Sequence, residues 1–411
     1  MRTASQLVVG LDVGTTKICA VVGEASPEGL RILGFGTHPS KGLRKGVVVN
    51  IEATVQSIRK AVEEAEIMAD RDIRRVYAGI AGGHIKGFNS HGVIPLRDRE
   101  VRLSDIRRVL DAARAVAIPM DREVIHILPQ EYIVDDQDGI REPLGMSGVR
   151  LEARVHIVTG AVTSAQNIIK CCNRAGLEVA DIVLEPLASA EAVLTPDEKD
   201  IGVALVDMGG GTTDILVVSG GAVKHSSVLA LGGAHVTNDI AVGLRTPVPE
   251  AEKIKRRFGC ALASLVGKDD TIEVPSVGGR RPRTLSRRIL AEIVEPRMEE
   301  LLTLVREDLE HAKVQTLLGS GIVLTGGGSL LEGTVEMAEQ VFGGIPARRG
   351  EPRGIDGLPD PLVDPSFATG VGLVMYAARK RDDPVEPLEA DDATLFGRIA
   401  RRMKSWFKEF F

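Results

Sequence analysis

The chain has 411 residues, 44% hydrophobic and 26% charged. That composition supports a large buried core and excludes global disorder. Its 51 basic and 57 acidic residues leave a net charge of −6, the opposite of a nucleic-acid binder's basic excess, so no nucleic-acid partner is expected. The four cysteines, Cys19, Cys171, Cys172 and Cys260, form no CxxC pair and read as reduced thiols. No apolar run reaches the roughly 18 residues of a membrane span. The first apolar stretch ends at Asp12 and reads as a strand, not a signal peptide.

In chain order, residues 7–22 read LVVGLDVGTTKICAVV, two β-branched arms around a Gly-Thr-Thr turn, which predicts a hairpin. A helix is expected over 51–70 and a buried strand over 76–81. Residues 84–160 then interrupt the pattern. Strands are expected there at 93–96, 124–128, 132–134 and 151–158, with a helix over 104–117 capped by Ser104. So long a patterned stretch is a small α+β unit and not a loop. Thr163 resumes a helix. Residues 203–218, VALVDMGGGTTDILVV, repeat the first hairpin, with Asp207 in the place of Asp12, and predict two similar facing domains. A second insertion, 235–299, contains helices over 237–244 and 249–258, a strand over 271–277, and a basic turn over 278–283. Residues 322–331, IVLTGGGSLL, give a strand, a glycine turn, and a helix from Leu331 to Phe342.

The two hairpins carry phosphate chemistry. Gly14 and Gly209, Gly210 and Gly211 allow tight turns whose N–H groups form anion nests. Thr15, Thr16, Thr212 and Thr213 add hydroxyl donors, and Lys17 a point charge. Asp12 and Asp207 are repelled by phosphate but can hold Mg²⁺ through its waters. Gly326, Gly327, Gly328 and Ser329 suit a ribose or phosphate contact at a helix start. No P-loop and no Rossmann fingerprint is present.

Residues 381–393 hold six acids and two prolines and read as an extended linker. Residues 395–411, LFGRIARRMKSWFKEFF, split completely on a helical wheel at about 100° per residue. Leu395, Phe396, Ile399, Ala400, Met403, Trp406, Phe407, Phe410 and Phe411 take one face. Arg398, Arg401, Arg402, Lys404 and Lys408 dominate the other. That is the pattern of an interfacial helix on an anionic bilayer. Phe396, Ile399, Arg402, Met403, Trp406, Phe407, Lys408 and Phe410 are the expected membrane contacts. One copy should bind reversibly and an array far more tightly.

Together these motifs resemble the actin and Hsp70 ATPase superfamily. They imply an α/β, actin-like ATPase fold with two duplicated domains around a nucleotide cleft that binds ATP with Mg²⁺. In this resemblance Leu184–Ala190 is the first connecting segment, with Glu185 as the group that orients attacking water. Phe367–Gly372 is the second connecting helix. Glu252 and Lys255 match positions that hold ribose and base. The stretches 259–279 and 291–297 narrow the resemblance to the FtsA family of bacterial cell-division proteins, proteobacterial type. That resemblance implies subdomain 1A at 1–83 and 161–198, insertion subdomain 1C at 84–160, 2A at 199–234 and 300–380, 2B at 235–299, a linker at 381–393 and a membrane-targeting helix at 394–411. It also implies self-association and capture of the C-terminal peptide of the tubulin-like FtsZ on 2B, where Arg287, Arg288 and Glu295 are candidate contacts. Other division proteins would bind through 84–160, at the cytoplasmic side of the inner membrane. Hydrolysis is expected to be slow at most. Alternatives on the same fold are a small-molecule kinase, a chaperone or shape-filament ATPase, and a pilus-assembly adaptor.

Overall fold

The computed structural model describes residues 6–276, 278 and 281–380. The linker and the amphipathic segment read from the sequence at 381–411, and part of the basic turn at 278–283, lie outside the described residues.

The first half opens with strands β1 (Gln6–Val13), β2 (Lys17–Ser26) and β3 (Gly29–Pro39), a short hairpin β4 (Leu43–Arg44) and β5 (Val47–Val48), helix α1 (Ile51–Ala69) and strand β6 (Arg75–Ile80). A separate sheet follows, built from β7 (Lys86–Pro95), helix α2 (Leu103–Arg114), β8 (Arg122–Val134), β9 (Gln137–Ile140) and β10 (Arg150–Ala161). The chain then returns through α3 (Val162–Arg174), β11 (Glu178–Leu184), α4 (Glu185–Val193) and α5 (Pro196–Ile201). The first sheet runs β11-β6-β1-β2-β3 and the inserted one β7-β10-β8-β9. Since β7 to β10 fall between two strands of the first sheet, they are an insertion by topology.

The second half repeats the plan. Strands β12 (Val203–Met208), β13 (Thr213–Ser219) and β14 (Ala222–Leu229) precede helices α6 (Gly233–Leu244) and α7 (Val248–Phe258). The hairpin β15 (Thr271–Val274) and β16 (Arg283–Ser286), the long helix α8 (Arg287–His311), strand β17 (Ile322–Thr325), helix α9 (Thr334–Val341), strand β18 (Ala347–Arg349) and helix α10 (Ala368–Lys380) complete it. Its sheet order is β14-β13-β12-β17-β18.

Strands β1, β2, β12 and β13 are apolar on consecutive residues because each is covered on both faces. Leu11, Ile18 and Ala20 face a core with α1, while Val8, Cys19 and Val21 face another. That second core also takes Ala190 and Val193 of α4, Leu205 and Leu216 of the second half, and Val371 and Val374 of α10. One hydrophobic cluster thus joins both halves around the two connecting helices. The inserted sheet touches the second half as well: Gln130 Nε2 donates to Val223 O at 2.7 Å, and His156 Nε2 lies 2.8 Å from Ser226 Oγ.

Several sequence expectations need correction. The strands expected at 124–128 and 132–134 are one strand that bulges beside Pro129, whose missing N–H interrupts the ladder without ending it. Helix α2 starts at Leu103 with Arg102 as its cap residue, because the Asp105 carboxylate accepts the Arg102 N–H at 3.1 Å and displaces Ser104 from that role. Strand β15 stops at Val274, before Pro275. Helix α6 begins four residues before Thr237. After β17 the glycine loop curls into a single 3-10 turn, Gly327–Leu330, and the α-helix begins only at Thr334. Gly326 and Gly333, at φ +77° and +79°, bend the chain away from a continuous helix.

Candidate functional site

The two hairpin turns face each other. In the first, Val13 pairs with Ile18, leaving Gly14 to Lys17 at the tip. In the second, Met208 pairs with Thr213, leaving Gly209 to Thr212. A methyl group on Gly210 would fall 2.2 Å from Thr16 Cγ2, and one on Gly211 would fall 2.6 Å from Thr15 Oγ1. Only glycine permits this approach. The third loop closes on the same place, since a Cβ at Gly326 would lie 2.3 Å from Asp207 Oδ1. Gly14, Thr15, Thr16, Gly209, Gly210, Gly211, Gly326, Gly327 and Gly328 are therefore brought together.

Four carboxylates line this junction. Asp12, Asp207 and Asp214 are buried and Glu185 is half-buried. Burial raises the Asp12 carboxyl to about 6; Lys17 opposes the rise and Asp207 adds to it. Burial also pushes Glu185 and Asp214 well above the ordinary carboxylate range, reinforced by their acidic neighbours. Asp207 is raised by burial and partly restrained by hydrogen bonds from Ser189 and Thr369. Such a cluster is short of positive charge and is relieved by a cation. Among the described residues no three His, Cys, Asp or Glu side chains gather closely enough to hold a metal ion directly.

Other expected contacts are used by the fold. The Lys17 ammonium donates to Ser366 O at 2.6 Å and sits 3.6 Å from the centre of the Phe367 ring. It is tied to the entry of α10 instead of standing free in the turn. The fully buried Thr213 hydroxyl donates to Leu231 O at 2.9 Å, and Thr212 donates to Asp214 at 3.1 Å. Ser329 Oγ donates to Gly326 O at 2.7 Å and braces its own loop. Glu252 and Lys255 pair at 2.7 Å, and Lys255 Nζ also donates to Gly233 O at 3.0 Å. Gly233 N in turn donates to Gly209 O at 2.9 Å, so this pair stands beside the second turn. Burial acts to raise Glu252, but Lys255 and Thr237 hold it below its ordinary value.

Of the three candidate partner contacts, only Arg288 faces solvent, paired with Glu292 at 3.3 Å. Arg287 is held by Glu332 and donates to Phe258 O at 2.9 Å. Glu295 accepts the Ala263 N–H at 3.2 Å. Both act as braces inside the second insertion, because each meets a backbone group that has no strand partner.

The structure also adds residues that sequence reasoning missed. Ser189 of α4 donates to Asp207 Oδ2 at 2.6 Å, and Thr369 of α10 reaches the same oxygen at 3.3 Å. Asp214 belongs to the cluster too. The visible signals were a serine in an alanine-rich helix and a second aspartate in the repeat.

Two duplicated halves, opposed glycine hairpins and a pair of connecting helices define an actin-like fold. Solved structures agree on the fold. The PilM–PilN type IV pilus biogenesis complex matches with a TM-score of 0.65 at 19% identity, over 92% of this chain and 99% of that one. MreB5 of Spiroplasma citri bound to ADP matches with a TM-score of 0.55 at 15% identity, over 92% and 97%. The family model "Cell division protein FtsA" matches residues 204–372, and "SHS2 domain inserted in FTSA" matches 82–159, the inserted sheet. FtsA of Pseudomonas aeruginosa is 57% identical over 381 residues, 92% of this chain and 91% of that one. FtsA of Neisseria meningitidis is 44% identical over the whole of both chains. FtsA of Escherichia coli K12 is 43% identical, over 100% of this chain and 99% of that one. The chain belongs to the FtsA family of actin-like cell-division proteins.

Proposed function

We propose that the chain binds ATP with Mg²⁺ between the two hairpins, assembles with copies of itself, and anchors FtsZ filaments to the cytoplasmic face of the inner membrane. The observation that carries the nucleotide reading is the abutment of Thr15 and Thr16 on Gly211 and Gly210, with Asp12 and Asp207 at the base of the same junction. Phosphates entering here would meet backbone N–H groups from both halves and draw those halves together. A cation held through water would offset the carboxylate cluster.

Glu185 is the group proposed to orient water. Its raised proton affinity suits its carboxylate, once a cation has offset its acidic neighbours, to accept a hydrogen bond from the attacking water. Hydrolysis is proposed to be slow, with the nucleotide acting mainly to select the assembling state. Among the described residues no helix is long and apolar enough to cross a membrane. The membrane link is proposed to lie in 395–411, because its sequence separates aromatic from cationic residues at helical spacing. FtsZ recruitment through the second insertion, recruitment of later division proteins through 84–160, and the subdomain boundaries given above complete the reading.

The test is co-sedimentation with anionic vesicles, comparing the full chain with one ending at Asp392, each with and without ATP–Mg²⁺. Binding that requires both the tail and nucleotide supports anchoring through assembly. Equal binding by the truncated chain would refute the membrane assignment.

A further inference from the structure

Strand β11 is the edge of the first sheet. An edge strand turns alternate N–H groups outward, where no neighbouring strand accepts them. Two outward groups of β11 are satisfied by side chains instead. Ile182 N donates to Asp181 Oδ1 at 2.9 Å, and Leu184 N donates to His126 Nε2 at 3.0 Å. Asp181 is local, but His126 comes from β8 of the inserted sheet, 58 residues away in sequence. Strand β8 pairs with β10 and β9, not with β11. The imidazole is thus a polar tie between two sheets that share no ladder.

Its position bears on the cleft. Leu184 is the cap residue of α4, in extended conformation at φ −61° and ψ 122°, and Glu185 is the first residue of that helix. The ring also packs edge-on against Tyr376 of α10, with centroids 6.3 Å apart and planes at 70°. His126 therefore touches the inserted sheet, the β11–α4 junction and the second connecting helix at once. Accepting a hydrogen bond through Nε2 requires a neutral ring protonated on Nδ1. Burial supplies that state by lowering the imidazole to about 4; Asp181 opposes the fall and Lys380 adds to it.

We infer that His126 is a positioning residue for Glu185, and that through it the inserted sheet transmits its own placement to the nucleotide cleft. A partner that shifts the inserted sheet then moves the N-terminus of α4 without touching the nucleotide. The inference rests on the reading of Glu185 as the water-orienting group.

The test compares the full-length protein with His126→Leu, which removes the acceptor, and His126→Gln, whose Oε1 can accept in its place. Hydrogen exchange is read at the Leu184 amide, with the Val155 amide in the inserted sheet as reference. Single-turnover hydrolysis of ATP and ATP affinity are read in parallel. In His126→Leu, exchange at Leu184 should rise and hydrolysis fall, each by about tenfold, the worth of one buried hydrogen bond. Exchange at Val155 and ATP affinity should stay within about twofold, and His126→Gln should recover most of both losses. Unchanged exchange at Leu184 in His126→Leu overturns the inference. So does a His126→Gln variant as impaired as His126→Leu with Val155 exchanging faster too, since the ring would then act only by packing. A wild-type protein that binds ATP without hydrolysing it removes the role given to Glu185; the exchange comparison then decides alone whether His126 holds the junction.

Discussion

Ser189 Oγ donates a hydrogen bond of 2.6 Å to Asp207 Oδ2, joining the first connecting helix to the base of the second hairpin. Thr369, on the other connecting helix, lies 3.0 Å from Ser189 and 3.3 Å from the same carboxylate oxygen. A single carboxylate, proposed to hold Mg²⁺ through water, is thereby fastened to both segments that link the halves. Replacing Ser189 by Ala leaves a buried carboxylate with one weak donor. Hydrogen bonds to charged groups are worth about 1.5–3 kcal/mol, so Ser189→Ala should weaken ATP–Mg²⁺ binding by roughly tenfold. Titration calorimetry checks this. Affinity equal to wild type would mean that the clasp does not support the site.

The crossing of the same two helices sets a second expectation. A Cβ on Gly372 would lie 1.8 Å from Ala188 O, which no rotamer can relieve because the obstacle is backbone. Gly370, two residues earlier and on the opposite face of α10, meets the side chains of Val21 at 3.1 Å and Cys19 at 3.4 Å. Overpacking a core commonly costs about 1–3 kcal/mol and more where backbone must shift. Gly372→Ala should therefore lower the melting temperature by several degrees or prevent folding, while Gly370→Ala is tolerated with a smaller loss. Thermal melts of the pair decide it, and equal melting would contradict the packing argument.

Much of this was legible in the chain because the information was local. Both hairpins announce themselves by β-branched arms around Asp-Gly-Thr patterns, and 7–22 and 203–218 repeat each other. The inserted unit is visible as strand and helix periods in an unbroken stretch, while the bulge beside Pro129 that joins 124–128 to 132–134 has no local signature. Helix α8 keeps Pro296 in its interior, where proline ordinarily breaks a helix, so local sequence does not point to one 25-residue element there. What stayed hidden was long-range. The capture of Lys17 by Ser366 joins residues 349 apart. The braces made by Arg287 and Glu295, and the tie from His126 to Leu184, likewise depend on partners that no spacing rule brings together.

The carboxylate cluster predicts a pH dependence with a defined sign. The folded Asp12 carboxyl is raised to about 6 from an ordinary value of 3.8. The folded state therefore holds this proton more tightly than the unfolded state does. Stability from this group is present below about 4 and is lost as pH rises through about 6. Binding of Mg²⁺ favours the ionised form and should strengthen over the same interval, with proton release. In Asp12→Asn, the protein without nucleotide should gain stability relative to wild type at pH 7.5 but not at pH 4. The extra stabilisation by ATP–Mg²⁺ should fall sharply. Melting curves at both pH values, with and without ATP–Mg²⁺, test this. A constant difference between the two proteins across pH would exclude Asp12 as the titrating group.

The second insertion separates two arginines that are adjacent in sequence. Arg287 is mostly buried, with ties to Glu332, to Phe258 O at 2.9 Å and to Asp270 at 3.6 Å. Arg288 faces solvent, and its ion pair with Glu292 spans a single helical turn. Breaking a partly buried network costs on the order of 1–3 kcal/mol, whereas an exposed pair is worth at most about 1 kcal/mol. Arg287→Ala should therefore lower thermal stability, so a change in peptide binding in this variant would report on the fold as well as on any direct contact. Arg288→Ala should melt like wild type, and if the proposed FtsZ-peptide contact on the second insertion uses this cation, it should bind that peptide several-fold more weakly, with the deficit shrinking at high salt. Fluorescence anisotropy with a labelled peptide at two ionic strengths, beside melting curves, separates the effects. Wild-type peptide affinity in Arg288→Ala would remove this arginine from the proposed contact and leave the exposed remainder of α8 as the place to look.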